Sequence, residues 1–485
     1  MNRITRRDRL GASDMTTGEL KKKEDMRLKV IVLSGSPKGD LSVTLQYVNF
    51  IAKKFPQHSY QTYHVGEQIQ KVARDEKAFQ KIMNDIQSSD AVIWSFPIYA
   101  FLIPSQYKRF VELIFDRGAK KFFKNKYTIT LSTSLRFFDH TAHNYLHGIC
   151  DDLDMRYWGF YSADMQDLMK EEEREKLLIF AEDFFRAAEN KTPTAKVYQP
   201  LVHGQFKYEP GDVKKKIDSH GKRIIILTDL EDEKTNLGRM IERFRRSFTG
   251  GTELLNINDV EIKGGCLGCA QCGFDNKCVY LGKDGFIDFN EKRFRTADAV
   301  VMAPIIKDRY FSWKWKQFYD RGFYNGHTPG LKGKQVVHIL SGPLSQLPNL
   351  RQMIVASAEI GQMNLVDIVT DESEDSKVID ALLQSSAERM IWFDERKYVR
   401  PPTFLYVGGH KIFRDLVWST RSIFQADYRY YKKNNMFDFP QRDKRANAFN
   451  KMMASLMKDP VAKEEIRKTL KKEQVRPHQK VVATK

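Results

Sequence analysis

The sequence predicts an α/β fold. It comprises two tandem doubly wound parallel-sheet domains and a basic, helical C-terminal extension. Three observations predict it. Short β-branched apolar runs alternate with stretches of helical spacing, the pattern of strand–helix–strand units with helices on both faces of a sheet. The same landmarks recur in the same order about 200 residues later, a period too long for a solenoid and right for a second copy of one domain. The chain then turns basic after the Pro401-Pro402 break.

Residues 1–25 are polar and mixed in charge and read as a mobile tail. Leu28-Lys29-Val30-Ile31-Val32-Leu33 is a short apolar run closed by a Gly/Ser/Pro turn, as a buried parallel strand would be. Leu45 to Lys54 has helical spacing, and Ala91–Trp94 and Tyr127–Leu131 are further strands. This first domain is assigned to residues 26–190. Residues 191–221, with Pro193, Pro200, Pro210 and three consecutive lysines, read as a linker. In the second domain, residues 222–400, Arg223–Thr228 repeats Lys29–Ser34, and Ala297–Val301 repeats Ser89–Ile93. Asp116-Arg117-Gly118 recurs as Asp320-Arg321-Gly322, and Leu131-Ser132 as Leu340-Ser341. Both Asp-Arg-Gly sites read as helix ends, where Arg suits the negative terminus and Gly the position beyond it. Residues 401–485 form the basic extension, whose Phe404–Val417 stretch is apolar enough to dock on the domains.

Of 485 residues, 41% are hydrophobic and 29% charged, which excludes wholesale disorder. No run approaches the roughly 20 apolar residues of a membrane span, and the start lacks the apolar core of a secretory signal. Net charge is +18, and residues 401–485 hold 19 Lys/Arg against 8 Asp/Glu. Such a surplus suits an acidic redox protein, an acidic lipid surface or simply a solvated helical tail. With no zinc finger or RNA-binding motif beside it, nucleic acid is not expected.

Directly after the first strand stand Ser34, Gly35, Ser36, Pro37, Lys38 and Gly39, then Ser42, Val43 and Thr44 at a helix start. Unpaired N–H groups and the positive end of a helix dipole suit a phosphate there. The hydroxyls of Ser36, Ser42 and Thr44 and the charge of Lys38 would add to it. The loop is neither a Walker A sequence nor a G-x-G-x-x-G fingerprint, and a plain Gly/Pro turn with a serine cap is the alternative. Pro97, Ile98 and Tyr99 follow the third strand, and Ser132, Thr133 and Ser134 the fourth. Ligands of open parallel sheets bind beyond the carboxyl ends of strands, so three loops would make one pocket, with Tyr99 beside a flat ring.

Cys266, Cys269, Cys272 and Cys278 lie within thirteen residues, spaced C-x2-C-x2-C-x5-C. The set excludes a disulfide scaffold and points to a metal site in a reducing compartment. Compact sets of four thiolates suit iron–sulfur clusters. Structural zinc more often uses two separated knuckles, and a site without metal stays open. His140, His143, His147 and Cys150 share a helical face, as metal ligands or, more ordinarily, as a packing stripe with Asp139 as the cap.

The Gly-Ser-Pro-Lys loop with Ser42-x-Thr44, together with Pro97-Ile98-Tyr99, resembles the flavodoxin-like NAD(P)H-dependent FMN reductases over about residues 28–190. Weaker repetition extends from residue 223 to about 400. Val43 stands where many members have Asn. The cysteine motif is similar to that of the iron–sulfur flavoproteins, where it lies between the second and third strands. The resemblance implies two tandem flavodoxin-like domains. FMN would be held by Ser34, Ser36, Pro37, Lys38, Ser42, Val43, Thr44, Pro97, Ile98, Tyr99, Ser132, Thr133 and Ser134. A 4Fe-4S cluster would be held by Cys266, Cys269, Cys272 and Cys278. It implies a flavin oxidoreductase taking electrons from NAD(P)H to an unknown acceptor, cytoplasmic and open to homo-oligomer formation. FMN and cluster would meet within one chain. The second copy departs: its first loop carries Asp229, Glu231, Asp232 and Glu233 and no glycine, which would repel a phosphate. The alternatives are an electron carrier that docks a protein partner, and a zinc-stabilised interaction module.

Overall fold

The computed structural model describes residues 27–483; the tail expected over residues 1–25 lies outside them. In chain order the first lobe runs β1 (Lys29–Ser34), α1 (Val43–Lys54), β2 (Ser59–Tyr63), α2 (Ile69–Arg74), α3 (Glu76–Gln87) and β3 (Ala91–Pro97). It continues with α4 (Ser105–Asp116), β4 (Tyr127–Ser134), α5 (Asp139–Asp152), β5 (Arg156–Asp164) and α6 (Glu171–Glu189). The second lobe runs β6 (Ile224–Thr228), α7 (Asn236–Arg246), β7 (Thr252–Asn256), α8 (Phe286–Asp288), β8 (Ala299–Ala303) and α9 (Trp313–Arg321). It ends with β9 (Gln335–Leu340), α10 (Pro348–Ile360), β10 (Asn364–Thr370) and α11 (Ser376–Glu395). Then follow α12 (Phe404–Ser419), α13 (Gln425–Lys433), α14 (Lys444–Leu456) and α15 (Pro460–Val482).

The first sheet has the order β2-β1-β3-β4-β5 and the second β10-β9-β8-β6-β7. Every pairing is parallel, and each order is the flavodoxin-like 2-1-3-4-5. Register repeats as well. Val30↔Ala91 and Tyr127↔Arg156 in the first sheet match Ile224↔Ala299 and Gln335↔Asn364 in the second. The central strands β3 and β4 are buried along nearly their whole length, as are β8 and β9. This is why they read as continuous apolar runs rather than alternating ones.

The chain divides into two compact units, one ending at Asp427 and one from Tyr428 onward. Both sheets belong to the first, and so do α12 and the turn after it. The extension expected from residue 401 therefore splits. Its first part docks on the lobes: Gly409 lies so close to Phe137 that a Cβ there would stand 2.6 Å from the ring. The rings of Phe413 and Phe137 sit 4.3 Å apart. In the second unit, Asp443 and Asp459 cap α14 and α15 through backbone N–H groups of Ala446 and Val461, and both helices are largely exposed.

The segment read as a linker is a strap with almost no regular structure, and its hydrogen bonds go to both lobes. Val197 and Tyr198 N–H groups donate to Asp151 of the first, and the buried Tyr208 hydroxyl donates to Asp380 of the second at 2.5 Å.

The lobes join through α4 and α9, equivalent helices in the two sheets. Ser105 N–H at the start of α4 donates to Asp320 of α9 at 2.7 Å. Trp313 N–H at the start of α9 donates to Glu112 of α4 at 2.6 Å. Each helix thus has an orphan N-terminal donor satisfied by the other's carboxylate. Lys108 reaches Asp308 at 2.9 Å, and Lys316 reaches the Tyr99 carbonyl at 2.8 Å. The contacts are reciprocal, as across a two-fold interface.

Candidate functional site

The site forms where β1, β3 and β4 end. Gly35 permits the first turn: a Cβ there would lie 2.1 Å from the Tyr107 ring, whose hydroxyl donates to the Leu33 carbonyl. Ser42 caps α1 by accepting the Leu45 N–H at 3.3 Å. The Thr44 and Thr133 hydroxyls bond each other at 2.6 Å, tying the first loop to the end of β4. Ser36 accepts the Lys38 N–H and Ser134 the Arg136 N–H.

After β3, Tyr99 and Leu102 exchange both backbone hydrogen bonds around Ala100 and Phe101. Both central residues have positive φ, 39° and 71°. Such a turn favours Asn-Gly, and holding Ala and Phe in it costs on the order of 1–3 kcal/mol each. The second lobe holds it there. Lys316, wholly buried, bonds the Tyr99 carbonyl and pairs with Asp320, which also holds Ser105 N–H. Burial pulls Lys316 and Asp320 toward their neutral forms, against their mutual attraction.

These loops enclose a chamber of about 350 Å³, within the range of roughly 300–1,000 Å³ for small-ligand sites. Ser36, Lys38, Ser42, Val43, Thr44, Pro97, Ile98, Tyr99, Thr133 and Ser134 all line it. Ser34, Pro37 and Ser132 do not. The Ser34 hydroxyl is buried with no hydrogen-bond partner among the described residues. Pro37 borders the neighbouring cleft beside α4. Ser132 shares a 2.8 Å hydrogen bond with His143. The Tyr99 ring lies edge-on to Phe323 at 5.8 Å, with its hydroxyl lodged against Gly268. A Cβ at Gly268 would stand 1.8 Å from that hydroxyl, and its φ is +61°. The tyrosine is thus wedged into the cysteine loop, and burial, with Cys266, Asp320 and Cys269 nearby, keeps its hydroxyl protonated.

The cysteine loop lies between β7 and β8, and it reaches the same chamber: Cys266, Gly268, Cys272 and Gly273 form part of its wall. Gln106 of α4 donates to the Cys266 carbonyl at 3.1 Å. Arg321, of the repeated Asp-Arg-Gly, anchors the loop's flanks. It pairs with Asp284 at 2.6 Å, donates to the Gly264 carbonyl and lies 4.2 Å over the Tyr280 ring. The first lobe's Arg117 holds the Val72 and Ala73 carbonyls.

The cluster expectation meets a steric limit. The four cysteines edge one cavity of about 30 Å³, room for a water or two and far too little for four irons and four sulfides. Cys269 is exposed, whereas burial pushes the Cys266 thiol up to about 12 and the Cys272 thiol up to about 11. No group of three His, Cys, Asp or Glu side chains suited to a metal stands among the described residues. Neither a 4Fe-4S cluster nor zinc is supported by this arrangement.

The histidine stripe also separates. His143 bonds Thr130 and Ser132, and burial holds it near about 3. His147 stacks on Tyr157 at 3.9 Å, and Cys150 is buried in the core. Phe138, not Asp139, occupies the cap position of α5; Asp139 instead accepts the Ser162 hydroxyl at 2.5 Å.

Several lining residues escaped the sequence reading: Phe101, Phe137, Phe323, His327, Phe413 and Asp427. No local motif marks them, and they meet only through packing. Burial lowers His327 to about 4 and raises the Asp427 carboxyl to about 7.

In the second lobe the loop equivalent to that after β1 is closed from within. Asp229 is buried and accepts the Ile305 N–H at 2.8 Å and the Ser312 hydroxyl.

Residues 28–161 match the family described as NADPH-dependent FMN reductase. The match runs from just before β1 into β5 and covers the loops that line the chamber from the first lobe; it bears out the family resemblance read from them. No curated protein matches the chain significantly. Solved structures with similarity include the flavoenzyme NAD(P)H:(acceptor) oxidoreductase FerB from Paracoccus denitrificans. It is 18% identical, covering 34% of this chain and 98% of that one, with a TM-score of 0.29. An NAD(P)H:quinone oxidoreductase from Methanothermobacter marburgensis is 13% identical, covering 35% and 99%, with a TM-score of 0.25. An FMN-dependent NADH-azoreductase from Bacillus anthracis is 15% identical, covering 34% and 99%, with a TM-score of 0.25.

Proposed function

We propose that the chain is an FMN-dependent oxidoreductase that takes electrons from NAD(P)H, with one flavin site in the first lobe and a second lobe that completes it. The carrying observation is the convergence of the loops after β1, β3 and β4 on one chamber. The α1 N-terminus, the Ser36, Ser42 and Thr44 hydroxyls and Lys38 would hold the phosphate. The turn at Pro97–Phe101 and the Thr133–Ser134 segment would border the ring. The Tyr99 hydroxyl has no hydrogen-bond partner among the described residues, and the rest of the wall is largely apolar. When bound, FMN supplies a ring that accepts hydride and passes electrons on. The chain's own task is to bind it, orient it and limit access.

The equal strand order and register support a tandem duplication, with copies at 26–190 and 222–400 joined by 191–221. One copy has kept its ligand loop and the other has closed it with Asp229. In this reading no electron passes through a cluster. No helix among the described residues is long and apolar enough to cross a membrane.

The test is the visible absorption spectrum of the purified chain after incubation with FMN, followed by anaerobic addition of NADH or NADPH. About one FMN per chain, bleached by at least one nucleotide, is the expected result for a single site of this fold. A chain that retains no FMN overturns the reading.

A further inference from the structure

Beyond the flavin loops, the chamber extends to a wall that the first lobe does not supply. Phe323 comes from the second lobe, Phe413 from α12 and Phe424 from the turn after it. At this wall stands Asp427, 3% exposed and lining the chamber. One of its carboxyl oxygens has no hydrogen-bond partner among the described residues. Native folds rarely bury a carboxyl group without a partner. Where one faces a cavity, the missing partner is water, an ion or a ligand group. Among the lining residues Asp427 is the sole acid, and Lys38, on the phosphate loop, is the sole lysine or arginine. Aromatic faces attract cations by their quadrupole, most strongly where water is excluded. A carboxyl with one unpartnered oxygen and the rings of Phe323, Phe413 and Phe424 thus line one chamber and offer both kinds of recognition.

We propose that the part of this chamber walled by Phe323, Phe413, Phe424 and Asp427, beside the place proposed for FMN, binds a planar organic cation, its ring among the phenylalanines and its positive nitrogen facing Asp427. The proposal rests on the flavin reading only in that this wall faces the flavin loops across the chamber, and it names the class of molecule admitted there. A neutral carbonyl compound, held by a hydrogen bond from the protonated acid, is the competing occupant.

The test is calorimetric titration of the full chain, with and without FMN. The probes are N-methylquinolinium, its neutral isostere 1-methylnaphthalene, and 1-naphthaldehyde. The cation is expected to bind at least about 10-fold more tightly than either neutral probe, and Asp427→Asn to bring the affinities within about 3-fold of each other. Phe424→Leu, which leaves the carboxyl in place, is expected to weaken the cation by about 3-fold and the neutral isostere less. Equal affinities in the unaltered chain, an undiminished preference in Asp427→Asn, or tighter binding of the aldehyde would each overturn the proposal. FMN retention is read from absorbance on the same samples. Loss of FMN binding alone counts against the flavin reading, while the probe series still reports on the cation site.

Discussion

Gly268 and Tyr99 meet closely enough that one methyl group would disturb both cysteine loop and ligand loop. Gly268→Ala would place a Cβ against the tyrosine hydroxyl at a positive φ, costing about 1–3 kcal/mol from overpacking alone. Urea denaturation should show that loss, and FMN titration a weaker affinity. Tyr99→Phe in the same chain should restore part of both. Lys316 sets a sharper case. Lys316→Met would leave Asp320 buried without its cation, a loss of about 3–5 kcal/mol. It would also free the Tyr99 carbonyl from its clamp. Chemical denaturation measures the first effect and FMN affinity the second. The double variant Lys316→Met/Asp320→Leu should be more stable than the single one, because no isolated charge remains. At this scale the sequence revealed the chamber's hydroxyls and Tyr99, which stand in contiguous loops. It could not reveal Lys316, whose meaning depends on the neighbour that folding supplies.

At the scale of elements, the central strands carry buried imidazoles or bond to them. His338 in β9 has neither ring nitrogen partnered among the described residues, and burial holds it near about 3. His143 on α5 is held near about 3 as well. Both are neutral when folded and take up a proton on unfolding between about pH 3 and the ordinary histidine value near 6.5. The unfolded chain then binds more protons, so stability rises with pH across that window and falls as pH drops below about 6.5. The slope is at most about 1.4 kcal/mol per pH unit for each histidine. Urea midpoints at pH 7 and 4.5 should differ accordingly, and His338→Leu should flatten the difference. Strands and helices were legible here because their apolar periods are local. The wall made by α12 was legible only as a segment that must dock somewhere, since its register against Phe137 is set by shape.

Across the first unit, two lobes behave as one body because their buried charges are shared. Arg309 of the second lobe holds Asp152 of the first at 2.6 and 2.8 Å and the Gln199 carbonyl of the strap at 2.6 Å. Lys108, Glu112 and Asp308 form a second buried knot, in which the two acids outweigh burial and keep the lysine charged. Differential scanning calorimetry should therefore show residues through Asp427 unfolding in one main transition. Arg309→Ala, which leaves Asp152 unpaired at the seam, should split it or broaden it clearly. A variant that still melts as sharply as the unaltered chain would show that α4 and α9 suffice to couple the lobes.

The sequence by itself determined two α/β lobes of one pattern, a phosphate-suited loop in the first, an acidic loop in the second and a basic helical extension. Each is written in residues close together along the chain, where periodicity, turn chemistry and charge act locally. Only the tertiary structure decided that the cysteine loop of one lobe walls the chamber at the strand ends of the other. It alone showed that four cysteines with cluster-like spacing surround too small a space for a cluster. The physical reason is the same for both. Spacing along the chain limits which side chains can converge, but convergence itself is set by how α4 and α9 pack and by what the second lobe buries against Tyr99.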